Sequence, residues 1–172
     1  MPVTIRHAQF SQDNSHILTL FSAYAESLGI DLSFQNFEDE LASFPGKYAS
    51  TEGGSLLIAE FQPDSTNSIP ENNENVPGNS IIGCVALRRN TSTWCEMKRL
   101  YVNQQARRTG AGEKLVQAII NEARELGYQG MRLDTLPEMT AAQKLYRRFG
   151  FELIEKYYET PVQETVFMGL RL

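Results

Sequence analysis

Apolar residues recur along the chain at spacings that alternate between helix and strand. Two helical stripes lie in the first third of the sequence. The longer stripe stops at Gly29 and consists of Ile17, Phe21, Tyr24 and Leu28. The shorter one precedes Pro45 and consists of Phe34, Phe37 and Leu41. We therefore expect two helices, the second shorter than the first.

Apolar runs without helical spacing predict the strands. They lie at residues 2–8, 54–61, 80–88, 94–102, 129–136, 151–158 and 164–172, the last two joined across Pro161. The runs GSLLIAEF and SIIGCVALR, within 54–61 and 80–88, are apolar on both faces, which is typical of strands buried in the middle of a sheet.

Two further helical stripes occupy the second half of the chain. One follows Gly112, ends at Gly127 and consists of Leu115, Val116, Ile119, Ile120, Ala123 and Leu126. The other is closed by Gly150 and consists of Ala142, Leu145, Tyr146 and Phe149, with Pro137 suited to its first turn. The order β-α-α-β-β-β-α-β-α-β-β predicts a mixed α/β domain.

Residues 62–79 differ from the rest because they are rich in Asn, Pro, Glu and Ser. Such a segment cannot bury enough apolar surface to order itself, so it predicts a flexible polar hairpin loop between two strands. With 172 residues the chain fits one domain with a sizeable core. We therefore expect residues 1–172 to form a single domain.

The charge and the composition of the chain limit the classes of partner that it is expected to bind. The net charge of −5 argues against broad binding to nucleic acid or to an anionic membrane, and it suits a cationic small substrate. No apolar run approaches the roughly 20 residues of a membrane span, and no signal-peptide pattern opens the chain, so we expect a cytoplasmic protein. The sequence leaves the oligomeric state open, a homodimer included.

The residues that most often bind metals or attack substrates are sparse. Cys84 and Cys95 lie in strand-like runs without a CxxC pattern or a neighbouring histidine, which predicts reduced packing residues. His7 and His16 are far apart in sequence, and no Ser-His-Asp arrangement is evident around them. We expect no metal site.

Candidate chemistry concentrates where the strand 94–102 passes into the helix after Gly112, through Arg107-Arg108-Thr109-Gly110-Ala111-Gly112. A helix N-terminus presents free N–H groups that favour an anion, and glycines let a ligand approach the backbone. Leu115 stands where the dinucleotide fingerprint needs a third glycine and where a P-loop needs Ser or Thr. The sequence therefore predicts a phosphate-binding turn of another kind.

Arg107-x-x-Gly110-x-Gly112 after a strand resembles the pyrophosphate motif of the GNAT superfamily, the acetyl-CoA-dependent N-acetyltransferases. A second block, TAAQKLYRRFGF at 140–151, is similar to the late helix and strand of that family, where a tyrosine stands four residues before a Gly-Phe pair. The resemblance covers residues 80–158. It implies a GNAT-like central mixed, mostly antiparallel sheet of about six to seven strands, splayed at the middle and flanked by about four helices.

The resemblance also implies acetyl-CoA as cosubstrate. Its pyrophosphate would meet a turn made of Arg107, Arg108, Thr109, Gly110, Ala111 and Glu113 together with Gly112. Its pantetheine arm would lie beside Leu100, Tyr101 and Val102, where free backbone groups of a splayed strand pair with the amides of the cofactor. Thr135, Thr140 and Tyr146 would lie near the thioester. The family often has an asparagine after the strand that ends at Leu136, and here the segment reads Leu-Pro-Glu-Met.

Two residues match positions that are catalytic in the family. Tyr146 would donate a proton to, or hydrogen-bond, the departing CoA thiolate. Glu96, eleven residues before Arg107, would take the proton of the amine, or would be a solvated strand residue or a partner of Lys98. The early helices, with Tyr24, Phe34, Phe37, Glu38 and Glu40, would wall the acceptor pocket or belong to the core.

The resemblance implies an acetyltransferase that moves an acetyl group from acetyl-CoA to a primary amine of a small molecule or peptide, by direct attack in a ternary complex. Two alternatives stay open at this point. One is a CoA-binding regulatory module without catalysis, and the other is an acyltransferase that uses another acyl-CoA.

Overall fold

A computed structural model describes residues 2–62 and 81–172, so the loop predicted at 62–79 lies outside the described residues except for Gln62. One sheet contains the strands β1 (Val3–His7), β2 (Ser55–Phe61), β3 (Ile81–Arg89), β4 (Trp94–Val102), β5 (Gly130–Thr135), β6 (Glu152–Leu153) and β7 (Val166–Arg171). The helices are α1 (Asn14–Leu28), α2 (Phe37–Ala42), α3 (Ala111–Glu125) and α4 (Thr140–Arg148). The predicted mixed α/β fold is confirmed.

The sheet has the strand order β1-β2-β3-β4-β5-β7-β6. Neighbouring strands are antiparallel except for β4 and β5, which are parallel. A parallel pair needs a crossover connection, and α3 supplies it between β4 and β5. The sheet is therefore mixed but mostly antiparallel, as predicted.

Apolar residues cover the sheet on both faces. In β3, Val85 and Leu87 pack in the cluster that contains α3, whereas Cys84 and Ala86 pack in the cluster that contains α1. α3 buries Leu115, Val116, Ile119, Ile120 and Ala123, as predicted, but Leu126 follows the helix and is 44% exposed. Cys84 and Cys95 are buried free thiols, as predicted.

The two parallel strands in the middle of the sheet part after three paired positions. The pairing runs from Trp94 opposite Gly130 to Glu96 opposite Arg132 and stops there. Beyond it, β4 continues to Val102 and β5 continues to Thr135 without pairing to each other. The sheet is therefore splayed at its middle, as the sequence resemblance implied.

A β-bulge lies in β4 just beyond this point. Cys84 of β3 faces Tyr101, and Ala86 faces Lys98, so β4 contains one residue more than the opposing stretch of β3. Arg99 absorbs the difference with a left-handed backbone (φ 59°). As a result, the side chains of β4 change faces within the bulge.

Two predicted elements begin or end elsewhere in the structure. Pro137 is not in the first turn of α4, because the Leu136 carbonyl oxygen accepts bonds from the Met139 N–H and the Gln143 side chain, each at 3.0 Å, and the helix begins only at Thr140. The strand predicted at 151–158 contains only β6. The shorter early stripe is also divided, because Asn36 (φ 55°) separates a 3₁₀ turn, Ser33–Gln35, from α2.

Candidate functional site

The N-terminus of α3 carries free backbone donors. Arg108 and Gly110 have left-handed φ angles of 69° and 83°, which turn the chain sharply into the helix. Within the described residues, the N–H groups of residues 108–110, 112 and 113 make no hydrogen bond, and the Ala111 N–H has only the Thr109 hydroxyl oxygen at 3.4 Å. This loop is therefore open to an anion.

A groove leads from this loop along β4 and α4. Ten of the residues predicted for cofactor binding line it: Leu100, Tyr101, Val102, Arg107, Arg108, Gly110, Ala111, Gly112, Glu113 and Thr140. Thr109 is not part of the lining. Its hydroxyl donates to the Ala106 carbonyl oxygen at 2.6 Å, which holds the shape of the loop instead.

The groove joins a cavity between the parted ends of β4 and β5. Tyr24, Leu100, Met139 and Ala142 line both spaces. Thr135 and Tyr146, predicted to lie near the thioester, line the cavity. The groove and the cavity are thus adjacent, and between them they bring Tyr146 and every predicted cofactor residue except Thr109 to the region of the split in the sheet.

Tyr146 lies in α4 and is 7% exposed. Its ring meets Phe151 edge to face, with centroids 5.8 Å apart. Within the described part of the chain its hydroxyl has no hydrogen-bond partner, and burial raises the pKa of this phenol above its usual value. The hydroxyl therefore keeps its proton and can donate a hydrogen bond to a group in the cavity.

Glu96 is 1% exposed and does not line the cavity. Its Oε1 accepts from Arg88 Nε at 2.9 Å, and its Oε2 accepts from the Tyr157 hydroxyl. Burial favours the neutral acid, but the charges of Lys98 and Arg88 outweigh it and lower the pKa of Glu96. Both oxygens of Glu96 thus have partners, and Glu96 does not line the cavity that Tyr146 lines.

A charged cluster that sequence reasoning missed lies where the cavity crosses the sheet. It contains Lys98 and Arg99 of β4, Asp134 of β5 and Gln35 from the segment before α2, all of which line the cavity. Glu96, Lys98 and Arg99 are charged residues in a strand whose other positions are apolar or aromatic, and this was the available signal. Asp134 had no such signal, because one acidic residue at the end of a strand is ordinary.

The early helices supply the outer wall of the same cavity. Tyr24 and Phe34 line it, and Phe37 lies against the Arg99 guanidinium, 5.1 Å from ring centroid to Cζ. Glu40 accepts a hydrogen bond from Arg99 Nε at 2.8 Å, whereas Glu38 is exposed. The region that the sequence assigned to an acceptor wall therefore does border the cavity.

Two general features of the described ranges 2–62 and 81–172 bear on the type of site. None of the helices there is both long and apolar enough to cross a membrane. No group of three or more His, Cys, Asp or Glu residues in those ranges is arranged to hold a metal ion.

A sheet split between its two parallel strands, with the open amides of a helix N-terminus beside the groove, is the arrangement that the resemblance to the GNAT superfamily implied. Residues 34–151 match the profile of the acetyltransferase (GNAT) family. The chain belongs to this family, and the resemblance drawn from the two motifs is confirmed.

Relatives and solved structures agree with this assignment. An uncharacterized N-acetyltransferase of Schizosaccharomyces pombe is 34% identical over 171 residues, which cover 99% of this chain and 95% of the relative. An uncharacterized N-acetyltransferase of Dictyostelium discoideum is 30% identical, and the match covers 89% of this chain and 92% of the relative. A GNAT-family acetyltransferase of Staphylococcus aureus has the same fold, with a TM-score of 0.72 at 19% identity and 99% of each chain covered. The Salmonella typhimurium protein yncA, solved with its cofactor acetyl-CoA, gives a TM-score of 0.67 at 20% identity, covering 98% and 93%.

Proposed function

We propose that this protein transfers an acetyl group from acetyl-CoA to a primary amine by direct attack in a ternary complex. The observation that carries the proposal is that the groove beside the open amides of α3 and the cavity lined by Tyr146 share four lining residues. The acetyl-CoA bound by yncA, a protein of the same fold, supports the choice of cosubstrate.

The positive side chains and the free backbone groups of the groove support the predicted placement of CoA. Arg107 and Arg108 flank the free amides of the loop, so a pyrophosphate there would meet both donors and positive charge. Beyond Glu96, the side of β4 that faces β5 has no partner among the described strands, so its backbone groups would pair with the amides of the pantetheine arm. Binding of these remote parts would fix the thioester in the split, close to the acceptor.

Attack requires a neutral amine. An alkylammonium with a pKa near 10.4 costs about 4.6 kcal/mol to deprotonate at pH 7. The amine nitrogen then bonds to the thioester carbonyl carbon, the carbon–sulfur bond breaks and CoA leaves as a thiolate. The proton lost by the nitrogen needs an acceptor beside the cavity.

Asp134 suits the role of proton acceptor beside the cavity better than Glu96 does. Its Oδ2 accepts from the Tyr158 hydroxyl at 2.8 Å, and its Oδ1 lies 3.9 Å from Lys98 Nζ, beyond hydrogen-bond distance. Asp134 lines the cavity, and Glu96 does not. The base role predicted for Glu96 stays a prediction, whereas both of its carboxylate oxygens already have partners, Arg88 and Tyr157.

Tyr146 would stabilise the thiolate with a hydrogen bond. A phenol of ordinary pKa is already about 2 kcal/mol too weak an acid to protonate a thiolate of pKa 8.5. Burial raises the pKa of Tyr146 and widens that gap. Donation of a hydrogen bond to the developing charge does not carry this penalty.

A thiol-release assay with acetyl-CoA and a panel of primary amines tests the proposal, together with the melting temperature of the protein with and without CoA. We expect CoA at about 100 times its Kd to add about 2.7 kcal/mol of stability and at least one amine to release thiol. Stabilisation by CoA without turnover would favour the regulatory module. Release only with succinyl-CoA or a longer acyl-CoA would favour another acyl donor. The absence of both stabilisation and release would contradict the proposal.

A further inference from the structure

Lys98 and Arg99 are consecutive residues of one strand, yet both line the cavity. Successive side chains of a regular strand point to opposite faces of the sheet. The bulge at Arg99, with its φ of 59°, removes this alternation and places two cations on the same wall. Their side chains are 5% and 1% exposed, so both charges are buried.

A single neutral oxygen serves both cations. Gln35 Oε1 accepts from Lys98 Nζ at 3.2 Å and from Arg99 Nη1 at 3.0 Å. Arg99 also donates to Glu40, but the carboxylates nearest Lys98 Nζ, those of Glu96 and Asp134, are each 3.9 Å away. Within the described ranges, the hydrogen bond to Gln35 is therefore the one that the Lys98 ammonium makes.

An ammonium has three hydrogens to donate, and a buried charge is costly unless it is paired and hydrogen-bonded. The position of Gln35 Oε1, shared by two cations, is one that a carboxylate oxygen would occupy more favourably than an amide oxygen. Burial lowers the pKa of Lys98, while Glu96 and Asp134 oppose this effect, so an added anion would favour the charged form further.

Asp134 lies across the split from these cations, on β5. Its Oδ1 makes no hydrogen bond within the described ranges and lies 3.9 Å from Lys98 Nζ. The cavity thus presents two positive groups on one wall and one negative group on the other. Apolar residues line much of the remaining surface, among them Leu28, Ile30, Leu32 and Phe34.

We propose that the acceptor is a zwitterion whose primary amine stands next to a carboxylate, as in a free amino acid, and that Lys98 and Arg99 bind the carboxylate while Asp134 faces the amine. This inference rests on the proposed function for its chemistry. The acceptor carboxylate would displace Gln35 Oε1 from the two cations. A polyamine would bring a second ammonium towards Lys98, and a peptide N-terminus would offer an uncharged amide where the carboxylate belongs.

Equilibrium binding tests the inference separately from turnover. Calorimetry on the protein saturated with CoA, which cannot acetylate, would compare the proteinogenic amino acids with their carboxamides and with the amines left by decarboxylation. We expect at least one amino acid to bind about tenfold or more tighter than both of its matched analogues. Lys98→Met should remove most of this preference while leaving the affinity for the decarboxylated amine nearly unchanged.

Gln35→Glu provides a second variant that keeps the buried lysine in place. Its carboxylate would occupy the position between Lys98 and Arg99, so it should also abolish the preference. Lys47→Met, which removes an exposed lysine outside the cavity, should preserve it. Equal or tighter binding of the amides or amines, no binding of any amino acid, or a preference that survives both Lys98→Met and Gln35→Glu would overturn the inference. Lys98-dependent binding of amino acids with no thiol release would uphold the binding site for a zwitterion and contradict the proposed acetyl transfer.

Discussion

The hydroxyl of Tyr146 can be removed without disturbing its surroundings, because the ring alone packs against Phe151. Tyr146→Phe should therefore leave the melting temperature and the Kd of CoA within about twofold. It should lower kcat by about 100-fold, the loss typical of removing one donor to a developing negative charge. Steady-state kinetics together with calorimetry on CoA would measure both quantities.

Tyr128→Phe is the control, since it also removes a buried tyrosine hydroxyl but lies outside the groove and the cavity; that hydroxyl donates to the Gly53 carbonyl oxygen, so its loss should lower stability. It should leave kcat unchanged. If Tyr146→Phe weakened CoA binding as much as it lowered kcat, Tyr146 would be a binding residue and not a stabiliser of the leaving group.

Individual site residues differ in how far the sequence could predict them. The position of Tyr146 could be predicted because a block of twelve residues fixes its place in α4. The role of Asp134 could not be predicted, since its proximity to Lys98 depends on where two strands stop pairing. Glu96 was singled out by its spacing from Arg107, but spacing along a chain contains no information about Arg88 and Tyr157, which occupy its oxygens.

The first turn of α3 contains a glycine whose replacement would separate folding from binding. A Cβ on Gly112 would lie 3.9 Å from Leu145 and from Val102, in ordinary contact, yet all three residues line the groove. Gly112→Ala should keep or slightly raise stability, because alanine favours a helix over glycine. It should weaken CoA binding by about tenfold, since the new methyl occupies the space of the ligand. Calorimetry and thermal unfolding would check both expectations.

Gly110→Ala makes an instructive comparison two residues earlier. Its Cβ would meet nothing within 4 Å, but its φ of 83° disfavours any side chain. This variant should lose about 1 kcal/mol of stability from backbone strain alone. Unaltered CoA affinity in Gly112→Ala would show that the cofactor does not approach the backbone at this turn.

The local sequence pattern was sufficient to predict the ends of those helices and strands whose ends depend on nothing but local packing and turn residues. The limits of β4 at 94 and 102 agree with the strand predicted from Trp94 to Val102, and the end of α1 follows from Gly29. β6 was predicted too long, because its ladder ends with the bond from Ile154 N–H to the Phe167 carbonyl oxygen. The chain then turns inward so that Tyr157 and Tyr158 reach the carboxylates of β4 and β5, a tertiary demand that no local pattern expresses.

The charge of the whole molecule and that of its cavity point to different acceptors. The net charge of −5 suits a cationic substrate. Among the residues that the structure describes, however, those that border the cavity include Lys98, Arg99 and one acidic residue, Asp134. Buried charges act over a few ångströms in a low dielectric and are screened much less than surface charges, so the local arrangement dominates recognition.

Stability of the whole fold should depend on pH through the contact between β1, α1 and β2. Arg6 of β1 donates to both oxygens of Asp13, at 2.8 and 3.1 Å, and to Glu60 of β2 at 3.2 Å. The hydrogen bond from Arg6 lowers the pKa of Asp13 below its usual value. Because the folded pKa lies below the unfolded one, the carboxylate stabilises the fold above about pH 4, and this contribution is lost as pH falls through the folded value.

Asp13→Asn should therefore lower the free energy of unfolding by about 1 to 2 kcal/mol at pH 7. The difference from the unaltered protein should shrink between about pH 5 and pH 3, and urea unfolding at several pH values would follow it. Glu159→Gln, which breaks an exposed pair with Lys156, should change stability little at any pH. A difference for Asp13→Asn that stayed constant on acidification would show that the carboxylate charge is not what stabilises this contact.

The bulge inserts one extra residue into β4 and thereby shifts the alternation of its side chains between the two faces of the sheet. Before it, the odd-numbered residues Cys95 and Met97 belong to the cluster beneath α3, and after it the even-numbered Leu100 and Val102 do. Loss of that single residue would restore the parity of the strand and turn its entire downstream half over. Such a deletion would change both the wall of the groove and the arrangement of Lys98 and Arg99, so the cofactor groove and the cavity cannot vary independently at this position.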